Sequence, residues 1–166
     1  GAFFSHNTAL GGYMEKPTSL LEFARFYAGL GFSVVPVHTI DQDGICTCNK
    51  KDKCHSPGKH PAINWQRYTK RRADDDQLFM WFDGMEHAHS IGLVTGSISG
   101  NIFVVDVDIG EGKSGMETLD DVQLAHDDLP ITATARTGSG GKHLFFRAPE
   151  GMTIGTDKNV LGKGID

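Results

Sequence analysis

The sequence has no long hydrophobic run. No apolar stretch approaches the roughly 18 residues that a membrane-spanning helix needs, and the N-terminal residues lack the basic start and apolar centre of a signal peptide. These absences exclude the membrane class, so we expect a cytoplasmic protein with no membrane partner. The chain also has only three cysteines, and an odd count without an export signal argues against a disulfide framework.

Positive charge is also scarce. The chain has 16 Lys and Arg against 21 Asp and Glu, a net charge of −5, which argues against nucleic-acid binding by the whole surface. Its 166 residues with 39% hydrophobic content can bury the core of one domain. We expect residues 1–17 to be an N-terminal tail or a vector-derived remnant, and residues 18–166 to be one domain.

Helices and strands alternate along the sequence. Three capping boxes, in which Ser or Asp precedes Glu or Gln by three residues, predict helices over 19–28, from 74 to before Gly84, and over 114–125. Runs of β-branched residues predict strands over 32–37, 91–95, 102–108, 131–136 and 143–147.

The order of these elements predicts how the strands pair. We expect strand 91–95 to pair with strand 102–108, strands 102–108 and 131–136 to form a βαβ-like unit, and strand 143–147 to return as a hairpin partner. The predicted fold is therefore α+β, with helices packed on one mixed sheet.

Two aspartates lie in the apolar strand NIFVVDVDI. Residues two apart in a strand point to one face, so Asp106 and Asp108 project together while Val105 and Val107 face the other way. Two carboxylates placed so closely repel each other unless a cation lies between them. The pattern predicts a metal site; the alternative is the polar end of a half-exposed strand.

A glycine-rich turn follows about 35 residues later. In the segment ARTGSGGKHLFF the small residues leave backbone N–H groups free to approach an anion, and basic side chains add donors. Together with the aspartates this predicts a nucleotide triphosphate pocket, although such a turn can also merely reverse the chain. The candidate nucleotide-binding residues are Arg136, Thr137, Ser139, Gly140, Lys142 and His143.

All three cysteines lie in a long segment without predicted secondary structure, residues 44–61. Three thiolates and one imidazole form a common structural zinc set, and a long irregular loop needs an internal staple. We predict a zinc-stapled loop with His60 as the fourth ligand and His55 as the alternative; three free thiols remain the competing interpretation. The predicted zinc ligands are Cys46, Cys48, Cys54 and His60.

Basic residues concentrate in and after this loop. Residues 46–72 contain eight basic residues and the single acid Asp52, a local patch that can bind a phosphate backbone. Trp65 and Tyr68 are available for base stacking, although a core position is an equal alternative for Trp65. The candidate residues for contacting such a backbone are Lys50, Lys51, Lys53, Lys59, Arg67, Arg71 and Arg72.

Five motifs in order carry a family resemblance. The segments PGKHP, IGLVTG, VVDVDIG, TGSGGKHLFF and GID resemble the primase-polymerase domain of the archaeo-eukaryotic primase superfamily, and most closely the bifunctional primase/polymerase N-terminal domains of phage, plasmid and mobile-element replication proteins. The resemblance spans residues 20–166. It implies an RNA-recognition-motif-like (RRM-like) catalytic core fused to a second α/β unit, in a bacterial or archaeal host cell.

The resemblance also assigns residues. It implies that Asp106 and Asp108 bind the catalytic Mg²⁺ or Mn²⁺, that Asp166 is the third acidic ligand, and that His143 contacts the phosphates of the incoming nucleotide. The family often has serine two positions before the histidine, where this chain has Gly141. The family also continues through another strand, so the resemblance implies a domain truncated on its C-terminal side.

The implied function is template-directed nucleotidyl transfer through two metal ions, making primers or extending DNA on a single-stranded template from NTP or dNTP. The family's replication proteins usually add a helicase domain. Two other classes remain open: a zinc-stapled single-stranded-DNA-binding module with an incomplete catalytic site, and a metal-dependent nuclease. Stabilisation by nucleotide together with Mg²⁺ or Mn²⁺ favours the polymerase; stabilisation by single strands alone favours the binding module.

Overall fold

The computed structural model describes residues 16–84 and 89–166. Most of the expected N-terminal tail, residues 1–15, lies outside the described residues. The described chain forms two compact units, one ending at Gly100 and the other running from Asn101 to Asp166. Within the described residues, no helix is long and apolar enough to cross a membrane.

Two capped helices cover the strands of the first unit. Helix α1 (Leu20–Gly29) begins at Ser19 and helix α2 (Asp75–Phe82) begins at Asp74, and both capping boxes form as predicted. The Ser19 hydroxyl accepts from the Glu22 amide at 3.1 Å. Strands β1 (Ser33–Val37) and β2 (Ser90–Val94) pair antiparallel. The buried core between helices and strands comprises Leu21, Ala24, Val34 and Leu78.

The partner of β2 corrects one prediction. Strand β2 pairs with β1 and not with strand 102–108, because both strands bury side chains in the core of the first unit. On its other edge β1 meets the chain that returns from the long loop. The Ala62 amide donates to the Pro36 carbonyl at 2.9 Å, and the His38 amide donates to the His60 carbonyl at 3.0 Å. The loop is thereby anchored along β1.

The second unit is built around one three-stranded sheet. Its elements are β3 (Ile102–Val107), β4 (Ile109–Gly110), β5 (Lys113–Ser114), α3 (Gly115–His126), β6 (Ala133–Arg136) and β7 (Lys142–Arg147). The order in the sheet is β3-β7-β6, and both pairings are antiparallel. Residues 164–166 lie along the free edge of β3, where the Asp166 amide donates to the Asp106 carbonyl at 3.0 Å. The buried core comprises Val107, Leu119, Leu144 and Ile165.

The prediction of one mixed sheet is wrong. Among the described residues every strand pairing is antiparallel, and the strands form three small sheets. The glycine turn sends β7 back between β3 and β6, so these two strands run in the same direction but do not hydrogen-bond to each other. The predicted βαβ-like unit is therefore present in that β3 and β6 are parallel, but the antiparallel strand β7 lies between them. The α+β class is confirmed.

The third predicted capping box does not form. Ser114 precedes α3, but its side chain makes no capping hydrogen bond. Ser114 is paired with Ile109 in the β4–β5 hairpin, and the Gly115 amide donates to the Asp108 carbonyl at 3.0 Å. A backbone carbonyl therefore satisfies an amide at the start of this helix, which reduces the need for a side-chain cap.

Candidate functional site

Three of the predicted residues lie side by side on neighbouring strands. Asp106 is directly opposite His143 of β7. On the other edge of β3, Asp106 and Asp166 exchange both backbone hydrogen bonds, at 2.9 and 3.0 Å. Residues directly opposite in an antiparallel pair project to the same face. The sheet therefore presents the row Asp166, Asp106 and His143 on one face.

The opposite face of the same strands is apolar. Val107 is fully buried and Leu144 is nearly so, and they pack with Leu119 of α3 and with Ile165. The alternation of valine and aspartate in VVDVD thus holds β3 in one register, since a slip by one residue would bury the carboxylates and expose the valines. The hydrophobic core therefore positions Asp106 on the opposite face. We call the carboxylates of Asp106, Asp108 and Asp166 the acidic row.

Asp108 lies between β3 and the β4–β5 hairpin, where its charge acts on Asp106. Its amide donates to the Gly164 carbonyl at 2.8 Å. Its carboxylate Oδ2 forms an ion pair with Lys113 Nζ, which the hairpin brings back from five residues further along. Gly115 lies at this crossing, where a Cβ would stand 2.4 Å from the carbonyl oxygens of Asp108 and Gly164. Only glycine fits that approach.

The electrostatics of the row suit a cation. Asp106 Oδ1 is buried and accepts no hydrogen bond from the described residues, although His143 Nε2 lies 3.4 Å away. Burial raises the pKa of Asp106; His143 acts against that rise, and the charges of Asp108 and Asp166 add to it. Negative charges grouped this closely repel one another, and a positive ion relieves that repulsion. Oxygen donors of this kind fit Mg²⁺ or Mn²⁺.

The glycine-rich turn closes as a tight hairpin. The Thr137 amide donates to the Gly141 carbonyl at 2.9 Å, and the Gly140 amide donates to the Thr137 carbonyl at 3.0 Å. Among the described residues, the backbone amides of Gly138 and Ser139 have no acceptor. Two successive free amides at a turn are suited to binding an anion.

The two faces of the sheet divide the basic residues around this turn. Arg136 and Lys142 are paired with each other across β6 and β7. Strand alternation therefore directs both of them to the face opposite His143. Arg136 Nη2 nevertheless reaches the turn, 4.0 Å from the position of a Cβ on Gly140. The structure thus brings His143 to the acidic row and does not bring Lys142 there by register.

The first unit contains a second candidate site, which we call the zinc cluster: Cys46, Cys48, Cys54 and His60. The ligand atoms of these four residues all lie within 4.8 Å of one another. His60 Nε2 is 3.4 Å from Cys54 Sγ and 3.7 Å from Cys46 Sγ. Tetrahedral zinc with these ligands requires separations of about 3.5 to 3.8 Å. The structure gathers His60, not the alternative His55, with the three thiols.

The surroundings of the zinc cluster favour a thiolate at Cys46. Burial acts to raise the pKa of this thiol, but backbone amides of Cys48 and Gly58 and the side chain of His60 outweigh burial and lower the pKa to about 6. The thiolate is the form that binds a metal. Next to His60, the His38 ring is tilted by 49° at a centroid distance of 4.7 Å, and its Nδ1 contacts the Thr47 hydroxyl at 3.1 Å. Both the donor set and its spacing fit zinc.

The predicted template-binding residues are all exposed, whereas the two aromatic candidates differ in their exposure. Trp65 is 39% exposed, whereas Tyr68 is 1% exposed and packs edge-on against Trp81. The alternative interpretation, that Trp65 is a core residue, does not match this exposure. Arg72 also has a structural contact, because its Nε donates to the Ile98 carbonyl at 3.0 Å. The exposed basic residues are Lys50, Lys51, Lys53, Lys59, Arg67, Lys70, Arg71 and Arg72.

Sequence reasoning missed one residue at the acidic row. Lys113 was not among the predicted site residues, although its ammonium group binds Asp108. The signal was present in the segment DIGEGK, where Gly110 and Gly112 allow a tight hairpin that returns the lysine to the aspartate.

The chain matches a known protein family along most of its length. The family described as bifunctional DNA primase/polymerase, N-terminal, matches residues 24–166. No curated protein and no solved structure matched the chain.

Proposed function

Because the chain belongs to the bifunctional DNA primase/polymerase N-terminal family, we propose that it is a template-directed nucleotidyltransferase that makes primers or extends DNA on a single-stranded template. The family supports a primase/polymerase type of function in general. The residues that perform the reaction, and the metals that assist it, are our proposal.

One observation carries the assignment of the catalytic residues. The acidic row and His143 lie on a single face of the second unit, with Asp106 between Asp166 and His143. A nuclease or a polymerase would both use the carboxylates. A histidine and free turn amides beside them favour the polymerase, because a triphosphate needs donors on the side away from its metal. The strand order β3-β7-β6, with α3 crossing between β3 and β6, supports the proposal of an RRM-like core.

Asp106, Asp108 and Asp166 would hold the divalent cations, Mg²⁺ or Mn²⁺. Such ions, when bound, lower the pKa of an attacking 3′-hydroxyl and stabilise charge on the departing pyrophosphate. The protein's own contribution is positional: the hydrogen-bonded strands keep the carboxylates at fixed separations, so that the primer end and the nucleotide need not be oriented during the reaction.

His143 and the glycine turn would bind the triphosphate. His143 Nε2, which lies 3.4 Å from Asp106, can donate to a phosphate oxygen next to the carboxylates. The amides of Gly138 and Ser139 would bind the terminal phosphates, and Arg136 would add charge at the turn. We assign Lys142 a smaller part, since its register directs it to the other face.

The zinc cluster and the exposed basic residues would serve the template. Zinc would staple the loop of residues 44–61, whose regular secondary structure is limited to the short 3-10 helix Lys51–Lys53. The basic side chains in and after that loop would contact the template backbone without reading its sequence. Trp65 would stack on a template base, while Tyr68 remains in the core.

Primer synthesis on single-stranded DNA with Mn²⁺ or Mg²⁺ tests the proposal. We compare the unmodified chain with the double variant Asp106→Asn/Asp108→Asn, and with the charge-matched control Asp120→Asn/Asp121→Asn on the exposed side of α3. The active-site variant should lose at least about 100-fold in rate, as expected for groups that stabilise the transition state, and the control should keep its rate.

Other outcomes overturn the proposal. Equal loss in both variants would mean that overall charge, not the acidic row, carries the activity. Degradation of labelled single strands without nucleotide would identify a nuclease. If the chain made no primers and bound single strands but no nucleotide with Mn²⁺, it would be a binding module.

A further inference from the structure

The acidic row already has a cation supplied by the chain. Lys113 lies on β5, directly opposite Gly110, and its ammonium group forms an ion pair with Asp108 Oδ2. It also attracts Asp106 and Asp166 electrostatically. One positive charge therefore faces three carboxylates.

The hairpin itself does not need this ion pair. The pairings Ile109 with Ser114 and Gly110 with Lys113 close it through the backbone, and Gly110 and Gly112 adopt the positive φ values that its turn requires. The lysine side chain is 51% exposed and the Asp108 side chain is 27% exposed. An ion pair this open contributes little to folding. Its effect should instead appear where another cation competes for Asp108.

We propose that Lys113 is a positioning residue that competes with the divalent cation for Asp108 and so weakens and regulates metal binding at the acidic row. This inference rests on the proposed function. Lys113 binds Asp108 when no divalent ion is present, which limits repulsion among the carboxylates. A divalent ion must displace the Lys113 ammonium group from Asp108. The lysine side chain can then turn into solvent while the backbone hydrogen bonds of the hairpin stay intact.

The size of the effect follows from the exposure of the pair. Exposed ion pairs correspond to a few-fold change in an equilibrium constant. Replacing Lys113 with methionine removes the competing charge and keeps a flexible apolar stem of similar length. We expect Lys113→Met to bind Mn²⁺ about two- to fivefold more tightly than the unmodified chain. Lys113→Arg keeps the charge and should stay within about twofold of it.

The test is a Mn²⁺ titration of the whole chain, read by electron paramagnetic resonance of the free ion. The variants are Lys113→Met, Lys113→Arg and Asp106→Asn/Asp108→Asn, with Lys158→Met as the control for loss of one exposed lysine in the same unit. The zinc cluster is kept loaded with Zn²⁺ so that it does not take up Mn²⁺. Thermal melting of each variant verifies that it is folded.

The outcomes separate the two proposals. If the unmodified chain binds no Mn²⁺ that depends on Asp106 and Asp108, the proposed function fails and this inference fails with it. If such binding exists but Lys113→Met binds Mn²⁺ equally or more weakly, only the role of Lys113 is refuted. Tighter binding in both Lys113→Met and Lys158→Met would also refute it, because general charge would then explain the change. Tighter binding in Lys113→Met alone supports it.

Discussion

Gly141 offers a sharp test of how the glycine turn is held against β3. A Cβ at this position would stand 2.3 Å from the carbonyl oxygen of Val107 and 3.2 Å from Thr137 Oγ1. The first distance is far below van der Waals contact, and the atom it meets belongs to backbone that cannot rotate away. The φ angle of Gly141 is not in the left-handed region. Replacement by alanine therefore tests steric contact alone.

The expected cost follows from overpacking. Forcing a methyl group into a filled space with a backbone shift typically costs about 1 to 3 kcal/mol. For a chain of this length each 1 kcal/mol corresponds to roughly 2 to 4 °C in the unfolding midpoint. We therefore expect Gly141→Ala to lower the midpoint by roughly 2 to 12 °C.

Gly138 provides the matched control in the same turn. A Cβ there would meet nothing within 4 Å, and the φ of Gly138 is also not positive. Gly138→Ala should change the stability by no more than about 0.5 kcal/mol in either direction. Differential scanning fluorimetry on both variants measures the difference. Equal midpoints for Gly141→Ala and Gly138→Ala would refute the close approach of the turn to β3. Gly141→Ser should be destabilised in the same way, because its Cβ would meet the same carbonyl oxygen.

Two further predictions concern the first unit. Removing zinc with a strong chelator should lower the unfolding midpoint, and Cys54→Ser should lower it as well. His55→Ala should retain one zinc per chain, as measured by mass spectrometry. Loss of zinc in His55→Ala would contradict the cluster. Arg25 holds the carboxylate of Asp75 with two hydrogen bonds of 2.6 Å and lowers its pKa from the ordinary value of 3.8. A carboxyl group whose pKa is lower in the folded than in the unfolded state stabilises the fold at pH values above its unfolded-state pKa. That stabilisation is lost as the pH falls through its folded-state pKa. Asp75→Asn should therefore be less stable than the unmodified chain at pH 7, and this difference in stability should disappear below pH 3.8. A difference that does not depend on pH, or the same pH dependence in Asp76→Asn, would count against the ion pair.

Local patterns predicted several parts of this protein well. The helices that begin after Ser19 and Asp74 were predicted because a capping box joins residues only three positions apart. The strands were predicted because a run of β-branched residues favours the extended backbone of each strand on its own. The grouping of His60 with three cysteines was predicted from donor chemistry, because three thiolates and one imidazole form a common zinc set.

Long-range arrangement was less predictable. The pairing of β2 with β1, and the insertion of β7 between β3 and β6, depend on which apolar faces bury each other across many residues. The sequence predicts that Ser114 caps α3 with its side chain. Instead, the backbone carbonyl of Asp108 accepts a hydrogen bond from an amide at the start of that helix. Neighbouring elements therefore override a local signal where they supply the same hydrogen bond.

The acidic row shows the same division most clearly. The sequence by itself determined that Asp106 and Asp108 share a face, because a strand alternates with a period of two. It could not determine that Asp166 and His143 lie on either side of Asp106, since that depends on register between segments distant in sequence. The tertiary structure decided this register by burying Val107 and Ile165 against α3, and the β4–β5 hairpin then brought Lys113 to Asp108.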